Sequence, residues 1–143
     1  MVDHFEFLNQ VADHVFDRFA AVGFHQMKES EKVFFLIWSA HGEIDNGGFD
    51  QFYFNSSGDF SAHTPAALRA IGAGSLADII SRANALFPEG PPEDDTTRQM
   101  QLDAMTEEKQ ILLEELGDQF SREAETIDDL LYSFTTANLH PNE

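Results

Sequence analysis

The sequence predicts an all-α fold, a single compact domain over residues 1–143 with six or seven short helices around a Phe-rich core. Three observations carry this prediction. Residues 3–21 and 97–120 repeat their apolar positions at helical spacing. The aromatic block Phe49, Phe52, Tyr53 recurs at i, i+3, i+4 instead of alternating like a strand. Helix punctuation recurs along the chain: Gly23, Thr64–Pro65, Ser75 and Thr126 stand where helices should stop or start.

Taken in order, residues 3–21 set Phe5, Leu8, Ala12, Val15, Phe16 and Phe19 on one side, and Asp3, Glu6, Asp13 and Asp17 on another. Gly23 ends this helix. "KVFFLIWSA" is apolar all round and, with "ESEK" ahead of it, makes a buried helix over 29–41 with acids in its first turn. Trp38 lies inside this run and belongs to the core. "DNGG" at 45–48 is a joint between two helices, with Gly42, Gly47 and Gly48 turning the chain. Asn46 accommodates the unusual backbone there. Asn55 with Ser56 or Ser57 closes the helix that follows, and "SSGDFSAHTP" is a loop. Thr64 caps a short helix that opens on Pro65. Ser75 caps the next helix, which stops before Pro88. "PEGPPEDD", 88–95, is a linker rich in Pro and acids. Along 97–120, Leu102, Met105, Leu112, Leu113, Leu116 and Phe120 share a face opposite Asp103, Glu107, Glu114 and Asp118, while Lys109 snorkels from among the apolar positions. Thr126 caps a last helix to about 137, and "HPNE" is a loose tail.

Charge is the outlying property. With 26 acids against 8 bases the formal charge is −18. Such a surface repels phosphates, which argues against direct binding to nucleic acid or to an anionic membrane. There is no cysteine, hence no disulfide, thiolate metal site or thiol nucleophile. The longest apolar run, "VFFLIW", cannot span a bilayer, and the start "MVDHFEF" is acidic, so a cytoplasmic protein is expected.

The segment 39–60, "SAHGEIDNGGFDQFYFNSSGDF", holds the residue types of an active site. His41, Glu43 and Asp45 alternate there, but H-E-x-x-H is absent, and "GEIDNGG" fails the spacing of a calcium loop. No P-loop, G-x-S-x-G or G-x-G-x-x-G occurs. His4 and His14 fall near the acidic face of the first helix, as surface residues. No metal, cofactor or catalytic residue is assigned.

"FFLIWSAHGEIDNGGFDQFYFNSSGD", with "TPAALRAIGA" and "LFPEGPPEDDTTRQ", resembles a family of small acidic bacterial proteins, formerly a domain of unknown function. The likeness spans about residues 30–135, and "NGGFDQFYFN" is its most specific block. The best-known member is a DNA mimic. The resemblance implies a helical fold without catalytic activity. It also implies a surface like duplex DNA, completed in a dimer, that displaces a helix-turn-helix transcription factor from its operator. No contact residue carries over from it.

Asp103 to Asp118 offer about one charge per 7 Å of helix, whereas duplex DNA carries one per ~1.7 Å. Several acidic faces, or two subunits of a homodimer, must therefore combine. Residues 89–129 hold 14 acids against 3 bases, and the first helix adds four more acids. The expected function is a non-enzymatic acidic protein that covers the DNA-binding face of a basic partner such as a transcription factor. Its expected contacts are Glu6, Asp13, Asp17, Asp103, Glu107, Glu114 and Asp118. Two rivals stand beside it: a metal- or small-molecule-dependent enzyme using His41, Glu43, Asp45 and Asp59, and a helical interaction module that binds through apolar surface.

Overall fold

A computed structural model describes residues 3–139. They form seven α-helices: α1 (His4–Val22), α2 (Glu29–Phe54), α3 (Thr64–Ala70), α4 (Gly74–Asn84), α5 (Asp95–Asp103), α6 (Glu107–Glu123) and α7 (Ile127–Asn138). No strand occurs among the described residues, and the tail at 140–143 lies outside them.

The all-apolar character of 33–38 is explained by position. α2 is the central helix and packs against α1, α3, α5, α6 and α7. Phe34, Phe35, Leu36, Ile37 and Ala40 are buried, since almost no side of this segment faces water. Trp38 is only half-buried and stacks on Phe34. The expected joint at 45–48 is a kink inside this single 26-residue element. Gly47 sits at φ −149°, ψ 17°, and Gly48 at φ 72°, ψ −172°. Only Gly48 needs the left-handed region. Gly42 and Asn46, expected to help turn the chain, lie in regular helix.

α1 buries Leu8, Val11, Ala12 and Val15. Phe5 and Phe16, expected in that apolar face, are 57 % and 38 % exposed because they sit at its edge. Gly23 ends α1 at φ 80°, donating its N–H to Phe19 O. His14, expected as a plain surface residue, lies 3.6 Å from the buried carboxylate of Glu31, which Arg18 also approaches at 3.4 Å. Glu31 accepts the Lys28 N–H as well, at 2.9 Å, closing the start of α2.

Several expected loops and caps are corrected. Residues Ser56–His63 form a 3₁₀ helix, not a loop. Thr64 is the buried first residue of α3 and not its cap, a position that His63 holds, although Pro65 does stand in the first turn. Ser75 lies past the start of α4 and donates to Glu123 Oε1 at 2.7 Å instead of capping. Thr126 occupies the cap position of α7 without a side-chain bond. Ser57 behaves as expected: its hydroxyl donates to Phe52 O and closes the end of α2.

The helix expected over 97–120 is two. α5 ends at Asp103, and α6 begins at Glu107 after Thr106, whose Oγ1 accepts the Lys109 N–H. The apolar spacing runs through the break because Leu102 and Met105 are both buried across the turn, which hides it from a periodicity argument. Thr106 followed by Glu107 and Glu108 was the signal of a helix start. Lys109 is exposed and reaches Leu86 O at 3.4 Å. Asp94 caps α5, accepting from the Thr97 hydroxyl and N–H, and those two bonds hold its carboxyl below the ordinary range.

Two buried polar groups lock the centre. Arg98, on α5, is fully buried and uses all five N–H donors. It bonds the carbonyls of Tyr53, Asn55, Pro92 and Glu93, and the Asp59 carboxylate. It thereby satisfies carbonyls at the end of α2 and pins the 88–95 connection, whose Pro91 is buried. Tyr53 donates its hydroxyl to Asn84 Oδ1 at 2.6 Å, and Asn84 Nδ2 donates to Ser61 O, which ties α2 to α4 and to the 3₁₀ helix.

Candidate protein-binding surface

The seven acids named from the sequence all lie on exposed positions. None forms an ion pair or side-chain hydrogen bond among the described residues. At about 100° per residue, Glu6, Asp13 and Asp17 fall within about 40° of one another, away from the buried stripe of α1. On α6, Glu107, Glu114 and Asp118 make a similar row.

Glu108 and Glu115, counted among the 14 acids of 89–129 but not among the seven expected contacts, are exposed and form a second row about 90° round the same helix. They were legible in principle, since each directly follows a named acid. Five acids then cover residues 107–118, about one per 4 Å of axis at the helical rise. The phosphates of one DNA strand recur every ~3.4 Å. Asp103 stands apart from these rows, because it belongs to α5 and is separated from α6 by the break at Ala104–Thr106.

A third acidic group lies beyond the other two in the chain. Glu125, Asp128 and Asp129 follow α6, and Asp129 Oδ1 lies 3.1 Å from His4 Nδ1 at the start of α1. His4 also stacks on Tyr132 of α7, so it is a contact between helices and not the plain surface residue expected. Internal cations do little to neutralise this surface. Arg18, Lys32, Arg69 and Arg98 pair with Glu31, Glu29, Asp78 and Asp59, none of which belongs to the seven.

The four residues of the enzyme reading do not converge. His41 Nε2 lies 2.9 Å from Asp45 Oδ2 one turn on, and Asp45 Oδ1 accepts from Ser121. Glu43 accepts from Gln51 and Asn55. Asp59 is held by Arg98. Among the described residues no three His, Asp or Glu side chains are grouped to hold a metal ion. No helix among them is long and apolar enough to cross a membrane.

The Glu43 contacts explain the block that carries the resemblance. Asn46 Nδ2 donates to Gln51 Oε1 at 3.3 Å, Gln51 Nε2 to Glu43 Oε2 at 2.6 Å, and Asn55 Nδ2 to the same Oε2 at 3.2 Å. This amide chain straddles the kink at Gly47–Gly48. A Cβ on Gly47 would collide with the Gln51 side chain. "TTRQ", from the other quoted stretch, supplies Arg98.

A family model described as DMP19-like protein matches residues 25–138, from just before α2 to the end of α7. The chain belongs to the DMP19-like protein family. No curated protein and no solved structure matches it. The DMP19-like match bears out the resemblance drawn over about residues 30–135. It takes in α6 and its two acidic rows, and leaves out α1 with Glu6, Asp13 and Asp17.

Proposed function

We propose that this DMP19-like protein is a non-enzymatic, cytoplasmic DNA mimic. It binds the DNA-binding face of a basic protein, such as a helix-turn-helix transcription regulator, and keeps that protein from DNA. The observation that carries the proposal is on α6. Five exposed acids without internal partners stand along residues 107–118 of it, at a mean density close to that of one strand's phosphates, inside the span of the family match. A free carboxylate costs nothing internally when a partner's Lys or Arg claims it, whereas Asp45, with one oxygen beside His41 and the other on Ser121, would have to give up a bond. The α1 stripe and Asp103 extend the surface, and a second subunit would double it.

The test is Glu107→Gln with Glu114→Gln. Exposed substitutions of this kind shift stability within about ±0.5 kcal/mol. Basic DNA-binding proteins retained on immobilised parent are expected to elute at moderate salt, and the double variant is expected to retain them more weakly with a flatter salt dependence. Equal retention by parent and variant would remove α6 from the interface. Retention that ignores salt would favour an apolar interaction module.

A further inference from the structure

An open groove of about 710 Å³ runs between α1 and α2. Its walls are Phe16, Phe19, Phe35 and Trp38, and Gly42 and Glu43 line it as well. The aromatics are held by one another: Phe19 stacks on Phe35 with centroids 4.5 Å apart, Phe16 lies 5.0 Å from Phe35, and Trp38 stacks on Phe34.

Glu43 is the one carboxylate in this lining, and no Lys or Arg is present there. Both amide donors, Gln51 Nε2 and Asn55 Nδ2, land on its Oε2. Its Oε1 accepts no hydrogen bond among the described residues. The carboxylate is therefore fixed in direction and keeps one oxygen available. Aromatic faces carry the negative part of their quadrupole, and the chain carries a formal charge of −18. Each of these features favours a cation with an apolar stem.

Gly42 supports the same reading. It is helical, so no left-handed backbone requires glycine, and a Cβ built there meets nothing within 4 Å, so no close packing requires it. Glycine in a helix interior costs stability relative to alanine. What the missing side chain leaves here is open groove.

We infer that this groove receives an arginine side chain of a protein partner, stacked against the aromatic wall and hydrogen-bonded to Glu43 Oε1. Arginine fits better than lysine because its planar guanidinium stacks on rings and offers a fork of N–H donors to a carboxylate. The groove is wider than one side chain, which leaves room for apolar neighbours on the same segment. This inference rests on the proposed basic partner only for the source of the arginine.

Trp38 is the only tryptophan of the chain, so its emission reports the groove directly. The probe is the peptide acetyl-Leu-Arg-Leu-amide, titrated near 0.15 M salt against the same peptide with Gln in place of Arg. A saturable change in Trp38 emission is expected with the Arg peptide, and binding about tenfold weaker with the Gln peptide. Glu43→Gln should cost a similar factor, and Gly42→Leu should abolish the response by filling the groove. Phe16→Ala serves as a second wall variant, with helicity checked by circular dichroism for each. Glu107→Gln with Glu114→Gln should leave the response unchanged, which separates this site from the acidic rows. Equal binding of the two peptides would overturn the inference, as would Glu43→Gln binding like the parent. So would spermidine displacing the Arg peptide at equal concentration, or a Trp38 signal that changes with protein concentration alone, because the occupant would then be a free polyamine or a second copy.

Discussion

Arg98 Nη2 donates to Asp59 Oδ1 at 2.8 Å from a guanidinium with no exposed surface. The pair joins α5 to the 3₁₀ helix after α2, and the remaining four donors of Arg98 hold backbone carbonyls. A buried charge is tolerated here because every donor is used and the counter-charge is in place.

Arg98→Met should therefore be severe. It leaves Asp59 without its cation and four carbonyls without their donor, a loss of about 3–5 kcal/mol by analogy with broken buried pairs. Asp59→Asn keeps an acceptor near Arg98 and should cost less. Urea denaturation of the two variants against the parent measures both, and the ordering fails if Asp59→Asn is the worse.

Three glycines should respond differently to alanine. At Gly58 a Cβ would lie 2.7 Å from Phe52 O and 2.8 Å from Arg98 Nε, so overpacking of about 1–3 kcal/mol is expected. At Gly48 the space is open but the backbone is at φ 72°, ψ −172°, a region almost confined to glycine, which costs a side chain about 1–3 kcal/mol. At Gly42 neither obstacle exists, and alanine should stabilise the helix by about 0.5–1 kcal/mol. Midpoints of thermal unfolding for the three variants give the ranking.

Burial pushes the Tyr53 phenol well above its ordinary value of about 10. The sign of the pH effect follows. Above pH 10 the unfolded chain loses this proton while the folded chain keeps it, so stability falls as pH rises. Tyr53→Phe should lose less stability than the parent between pH 9 and 11. At neutral pH it should instead be weaker by about 1–3 kcal/mol, because Asn84 Oδ1 loses its donor.

Salt should stabilise the fold. Unpaired acids dominate a chain with formal charge −18, and counterions screen their repulsion within ~10 Å at 0.1 M. The melting temperature is expected to rise between low salt and about 0.2 M sodium chloride, by a few degrees for each kcal/mol of repulsion removed. A flat or falling curve would mean that the acids are not mutually repulsive in the folded state.

Sequence alone determined the helical class, the outward phase of the acids and the family. Leu8, Val15, Leu113, Leu116 and Phe120 are buried as their spacing predicts, and Glu107, Glu114 and Asp118 face outward for the same reason. Apolar period is a local property, written within a few turns of one helix. What only the tertiary structure decided depends on groups far apart in the chain. Periodicity has no term for a guanidinium that reaches from residue 98 to the carbonyl of residue 53, nor for Gly58, whose missing side chain makes room for it. The division of 97–120 was hidden because Leu102 and Met105 meet the core on both sides of the break. The residues of 41–59 looked like one site because they are neighbours in sequence. Helix geometry parts them, turning Asp45 toward Ser121, Glu43 toward Gln51 and Asn55, and carrying Asp59 to Arg98, so that only the folded chain shows which carboxylates are engaged and which are free.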